Sequence, residues 1–128
     1  MKLTVVICTH NREILLAKTL ASLDAATRPA GCTVEILVVA NACTDATAVQ
    51  LDAGSKAEPG ERHLPLRWVA ESLPGKSYAL NRAIPLLEGD LVAFVDDDHR
   101  VDPGYLAGIC RAAEAYPEAT MFCGRIVP

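Results

Sequence analysis

The sequence predicts an α/β layered sheet, Rossmann-like and mostly parallel, with helices on both faces and about five strands. Three observations lead there. Short apolar runs alternate with helical patterns along the chain. The runs are near-continuously apolar, as strands covered on both faces of a parallel sheet must be. The connections between them are short, as in successive strand–helix units.

The first strand is expected over Leu3–Cys8. A helix over Arg12–Asp24 follows, with Leu16, Leu20 and Leu23 on one face and Asn11 as its N-cap. Val34–Val39 reads as the second strand and Asp45–Ala53 as a short helix. Gly54–Pro65 holds two prolines and two glycines and reads as a solvated loop. Leu66–Ala70 is the third strand, with Trp68 in the core. In the helix expected over Lys76–Leu87, Pro85 denies the Asn81 carbonyl its hydrogen bond, which predicts a kink or an early end. Leu91–Val95 is the fourth strand. Asp102 and Pro103 suit the N-cap and first position of a helix over Pro103–Tyr116, with Leu106, Ile109, Ala113 and Tyr116 along one stripe. Ala119–Ile126 is a weaker fifth strand.

A chain of 128 residues is the size of one domain, and with 51% hydrophobic but only 5% aromatic residues its core must be aliphatic. The formal net charge is −4 and no basic stripe appears, which argues against binding nucleic acid or anionic membranes. The five cysteines are widely spaced, with no Cys-x-x-Cys, so neither structural zinc nor a disulfide framework is expected. Reduced thiols fit a cytoplasmic setting. The apolar run at Leu3–Cys8 is too short for a signal peptide, and no segment reaches membrane-spanning length. Membrane attachment, at the inner face, would have to come from segments outside this chain.

The polar clusters gather after the strands. They are Thr9-His10-Asn11-Arg12, then Asn41 to Asp45, then Glu71 to Ser77, and finally Asp96-Asp97-Asp98 with His99 and Arg100. Ligands of open α/β sheets bind beyond the carboxyl ends of the strands. The acidic triplet carries the most information, because like charges at a strand end repel unless something cationic lies among them. Asp96 and Asp98 can converge on a hard divalent cation, Mg²⁺ or Mn²⁺, that shares its coordination with substrate phosphates. Simpler roles stand beside these. Asn11 and Asp45 could be plain helix caps, and Gly75-Lys76-Ser77 either opens a helix or holds a phosphate. His63, Arg62 and Arg67 read as solvated surface residues, and His10 is notable for its position. Glycine-rich dinucleotide and P-loop motifs are absent, and so is a Gly-x-Ser-x-Gly elbow.

The run Val5–Arg12 with Leu15-Leu16 and Leu20-x-x-Leu23 resembles the opening of family 2 glycosyltransferases of the GT-A fold. Glu35–Val39 leading into Asn41-x-x-Thr44-Asp45-x-Thr47 is similar to the same family. So are Gly75–Ala83 and Gly89-Asp90-Leu91 continuing to Asp96-Asp97-Asp98 and on through Asp102–Leu106. The resemblance implies that Thr9, Asn11 and Arg12 line the base and diphosphate of a nucleotide-sugar donor, with a UDP-sugar favoured. The family's base-holding Asp is here Ala40, followed by Asn41, so the base contact departs from the pattern. Lys76 and Asn81 would lie near the donor, Asp96 and Asp97 would face ribose or sugar, and Asp98 would hold Mn²⁺ or Mg²⁺ together with Asp96. The implied reaction is an inverting sugar transfer to an acceptor, with the metal as Lewis acid. The acceptor-binding part and its general base would lie beyond residue 128, so residues 1–128 correspond to a donor-binding half. A sheet cut there would expose an edge and an apolar face and favour self-association. A sugar-1-phosphate nucleotidyltransferase and a non-catalytic nucleotide-binding module are the alternatives.

Overall fold

The computed structural model describes residues 1–60 and 63–128, so Arg62 lies outside the described residues. The elements follow the order β1 (Lys2–Thr9), α1 (Glu13–Ala25), β2 (Thr33–Asn41), α2 (Thr47–Ser55), β3 (Leu66–Glu71), α3 (Lys76–Ala83), a 3₁₀ turn at Ile84–Leu86, β4 (Leu91–Phe94) and α4 (Tyr105–Ala115). Among the described residues the four strands form one parallel sheet in the order β3-β2-β1-β4.

Alternation along the central strands divides the core in two. Leu3, Val5 and Ile7 of β1 with Val34, Ile36 and Val38 of β2 face one side. There they pack against Leu16 and Leu23 of α1, Leu51 of α2, and Leu106 and Cys110 of α4. Val6, Leu37 and Val39 face the other side and meet Ala79 and Ala83 of α3. The small alanines let α3 lie close on the sheet. Helices thus cover both faces, as expected, but among the described residues the second one is covered by α3 and the 3₁₀ turn that follows it, through Leu86. On that second face Val92 and Phe94 of β4 stay 41% and 64% exposed. Gly89 admits the chain to β4 at φ 110°, and a Cβ there would lie 2.9 Å from the Lys2 carbonyl oxygen and side chain. That approach lets the Asp90 N–H reach the Lys2 carbonyl at 3.0 Å.

Pro85 acts as the sequence predicts: α3 ends at Ala83 and the chain tightens into the 3₁₀ turn. Four expectations are corrected. Ala119–Ile126 forms no strand, and Met121, Phe122 and Ile126 are exposed. An apolar run becomes a strand only where its main chain finds an edge, and this one pairs with none. Asn11 does not cap α1; the N-cap is Arg12, without a side-chain bond. Arg67 is not a free surface charge, since its guanidinium donates to Glu35 Oε1 at 3.0 Å and to the Leu86 carbonyl at 2.6 Å. Helix α4 begins two residues late, because Asp102 Oδ1 takes the Gly104 N–H at 2.7 Å in a turn that precedes it.

Candidate functional site

The carboxyl ends of the strands open on one cleft of about 350 Å³. The end of β1 supplies Cys8, Thr9, His10 and Arg12, and the last residue of β2 supplies Asn41. Lys76 enters from the start of α3, and Asp96, Asp97 and Asp98 arrive after β4. Parallel strands set side by side deliver their ends to a common rim, so residues far apart in sequence meet there.

The charges of the triplet are met from within the protein. Lys76 Nζ donates to Asp96 Oδ1 at 2.8 Å, which holds the Asp96 carboxyl below and the Lys76 amine above their ordinary ranges. Arg12 Nη1 lies 3.2 Å from both Asp97 Oδ1 and Asp98 Oδ2. The three carboxylates do different work. Asp97 is 7% exposed, and its Oδ2 accepts the Thr9 hydroxyl at 2.8 Å. Its carbonyl takes the Thr19 hydroxyl of α1 at 2.9 Å, so Asp97 pins the loop to β1 and α1. Asp96 and Asp98 have side chains nearly half exposed, 48% and 45%.

Asp96, Asp98 and His99 can each bring one donor atom within 4.8 Å of the others. Two oxygens on one Mg²⁺ lie at most about 4.2 Å apart. Small rotations of these solvent-facing side chains would therefore close the set on an ion. Two carboxylates and an imidazole suit Mn²⁺, and the oxygen donors suit Mg²⁺. His99 was not singled out from the sequence, although it stands directly after the triplet.

The remaining predicted residues divide. Thr9, Arg12, Asn41, Lys76 and the triplet line the cleft; Asn11 and Asn81 do not. Asn11, with φ 49°, crosses to the loop after β2, where its Oδ1 accepts the N–H groups of Thr44 at 2.7 Å and Asp45 at 3.2 Å. Asn41 is 6% exposed. Its Nδ2 donates to the Leu73 carbonyl at 2.7 Å and its Oδ1 accepts the Gly75 N–H at 2.9 Å. Asn41 thereby fixes the turn that launches Lys76. Sequence reading did not select Cys8, and it noted His10 for position alone. Burial pushes the Cys8 thiol up, leaving it a neutral wall. His10 Nδ1 lies 2.8 Å from the Asn41 carbonyl, which only an N–H can satisfy, so Nδ1 is the donor of that pair.

A parallel sheet with cations and carboxylates gathered on one rim is the layout of a protein that binds phosphorylated ligands. The profile of glycosyl transferase family 2 matches residues 4–128, and the chain belongs to that family. A nucleotidyltransferase identity is thereby set aside. Among solved structures, the chain resembles S. aureus TarS 1–349, with a TM-score of 0.76 and 25% identity over 91% of this chain and 33% of that one. TarS 1–349 in complex with UDP-GlcNAc superposes at 0.74 with 26% identity, over 91% of this chain and 32% of that one. S. aureus TarS matches at 0.75 and 25% identity, over 100% of this chain and 23% of that one. The chain therefore spans a third or less of these relatives. A search of curated proteins gives no match.

Proposed function

We propose that residues 1–128 form the donor-binding half of a glycosyltransferase that moves a sugar from a nucleotide diphosphate to an acceptor with inversion. The observation that carries this is the joining of Lys76, Arg12 and the acidic triplet around one cleft at the strand ends. Family membership supports the reaction class, and the TarS complexes with UDP-GlcNAc and UDP support a uridine donor.

Lys76 and Arg12 would bind and orient the diphosphate, whose negative charge grows as the sugar departs. Mn²⁺ or Mg²⁺, held by Asp98 and Asp96 with His99 beside them, would supply Lewis-acid stabilisation of the leaving group. Thr9 and Asn41 line the cleft, and Asn11 would act on it indirectly, by holding the Thr44–Asp45 loop. The base that deprotonates the acceptor, and the acceptor site, belong to residues outside this chain. The same reading places the protein in the cytoplasm, with any attachment to the inner membrane face made by other segments. Among the described residues no helix is long and apolar enough to cross a membrane. The β4 edge, unpaired among the described residues, and the exposed Val92 and Phe94 would mediate self-association of the isolated half.

A panel of UDP, GDP and dTDP, titrated calorimetrically with Mn²⁺ present, tests the donor. UDP should bind at least 10-fold more tightly than GDP, whose base leaves hydrogen bonds unmade, and than dTDP, which adds a 5-methyl group and lacks the 2′-hydroxyl. Equal affinities would refute the assignment of uridine.

A further inference from the structure

We propose that Cys32 and Cys110 form a reversible disulfide that staples α4 to the entry of β2. The two residues are 78 apart in sequence, yet their sulfurs lie 2.9 Å from one another. Both are free thiols, and an S–S bond of about 2.05 Å needs only a small further approach. Cys32 precedes the first residue of β2 and is half-buried; Cys110 sits beneath it in α4 at 3% exposure. The pair lies at the opposite end of β2 from Asn41, so it is separate from the cleft.

The two thiols differ in the way a peroxide-driven reaction needs. Cys110 is buried, which pushes its thiol up, whereas Cys32 is half-exposed, so Cys32 is the thiol that peroxide reaches first. The Cys32 thiolate attacks hydrogen peroxide, the O–O bond breaks, and the departing hydroxide takes a proton to become water, leaving a sulfenic acid. The Cys110 sulfur then attacks the Cys32 sulfur; the S–O bond breaks, and hydroxide leaves with the Cys110 proton as a second water. Two thiols are oxidised and one peroxide is reduced to two waters.

The cross-link matters because α4 follows the acidic segment directly. Asp97 is already held to α1 and β1 by the Thr19 and Thr9 hydroxyls, but the stretch between it and α4 is tied to α1 and its C-terminal loop by two hydrogen bonds, Val101 N–H to Ser22 Oγ at 3.1 Å and Thr27 N–H to the Pro103 carbonyl at 2.9 Å. A staple across 78 residues removes much chain entropy from the unfolded state.

To test this, the folded chain is treated with hydrogen peroxide, denatured, blocked with N-ethylmaleimide and mapped without reduction by mass spectrometry. A linked Cys32–Cys110 peptide is expected, with Cys8, Cys43 and Cys123 blocked. The melting temperature should rise by roughly 10 °C and return with dithiothreitol. Cys32→Ser, at the half-exposed position, should fold by circular dichroism and lose both changes. Any other fate of the two thiols, or an equal rise in melting in Cys32→Ser, overturns the proposal.

Discussion

Lys76 Nζ donates to Asp96 Oδ1 at 2.8 Å and so joins the first residue of α3 to the loop after β4. The lysine occupies a carboxylate that a divalent ion would also want, and the ion pair is solvent-facing, with side chains 65% and 48% exposed. Such pairs are weak, about 0.2–1 kcal/mol, so a ligand can open this one. Lys76→Ala should therefore have opposite effects on two ligands. Mn²⁺ alone should bind up to about 5-fold more tightly, and UDP with Mn²⁺ about 10-fold more weakly. Calorimetry with each ligand checks both signs.

Asp97 and Asp98 are neighbours with separate duties, and substitutions should divide them. Asp97→Ala strips the Thr9 hydroxyl and the Arg12 guanidinium of a buried partner and should cost about 2–4 kcal/mol of stability. Asp98→Ala should leave the melting temperature nearly unchanged and abolish metal-dependent nucleotide binding. Thermal melts and UDP titrations of both variants read the contrast.

Asn41 acts on the cleft by positioning. Asn41→Ala leaves the Gly75 N–H and the Leu73 carbonyl without their side-chain partner, so stability should fall by about 2 kcal/mol. With the turn before α3 loosened, the UDP affinity of the folded protein should fall toward that of Lys76→Ala. Denaturant melts and calorimetry would measure the two effects separately.

Glu35 gives the fold an acid-sensitive joint at the end of the sheet away from the cleft. Burial opposes its charge, but the Arg67 guanidinium, the Thr4 hydroxyl and the Lys2 amine outweigh burial and hold the carboxyl below the usual range. A depressed carboxyl stabilises the fold fully above its unfolded value, near 4.3, and that contribution is lost as pH falls through the lower folded value. Glu35→Gln should therefore be about 1–2 kcal/mol less stable at pH 7. Its melting temperature should also decline less steeply than the wild type's below about pH 4. Melts across pH 2.5–7 would show whether the two curves converge in acid.

The sheet was legible because β1 to β4 are short, nearly unbroken apolar runs, and the cleft because its polar residues follow those runs. What escaped depends on partners distant in sequence. Ala119–Ile126 has strand-like composition but no edge to join. Asn11 turns to a loop more than 30 residues away, because its positive φ aims the side chain off the helix axis. Arg67 looks like any surface arginine until Glu35 is seen beside it. Cys32 and Cys110, separated by three strands, two α-helices and the 3₁₀ turn, carry no local sign of their contact. The triplet was readable as a charged site, but the inward turn of Asp97 follows from Thr9 and Thr19, which no spacing rule connects.

The central claim is that this cleft binds a nucleotide diphosphate through a divalent ion at Asp98 and Asp96. Calorimetric titration of the chain with UDP, with and without Mn²⁺, tests it most directly. The account predicts one binding site in Mn²⁺ and an affinity at least 10-fold lower without it, a difference of about 1.4 kcal/mol. Equal affinity under both conditions, or no binding by a chain that circular dichroism shows to be folded, would contradict it.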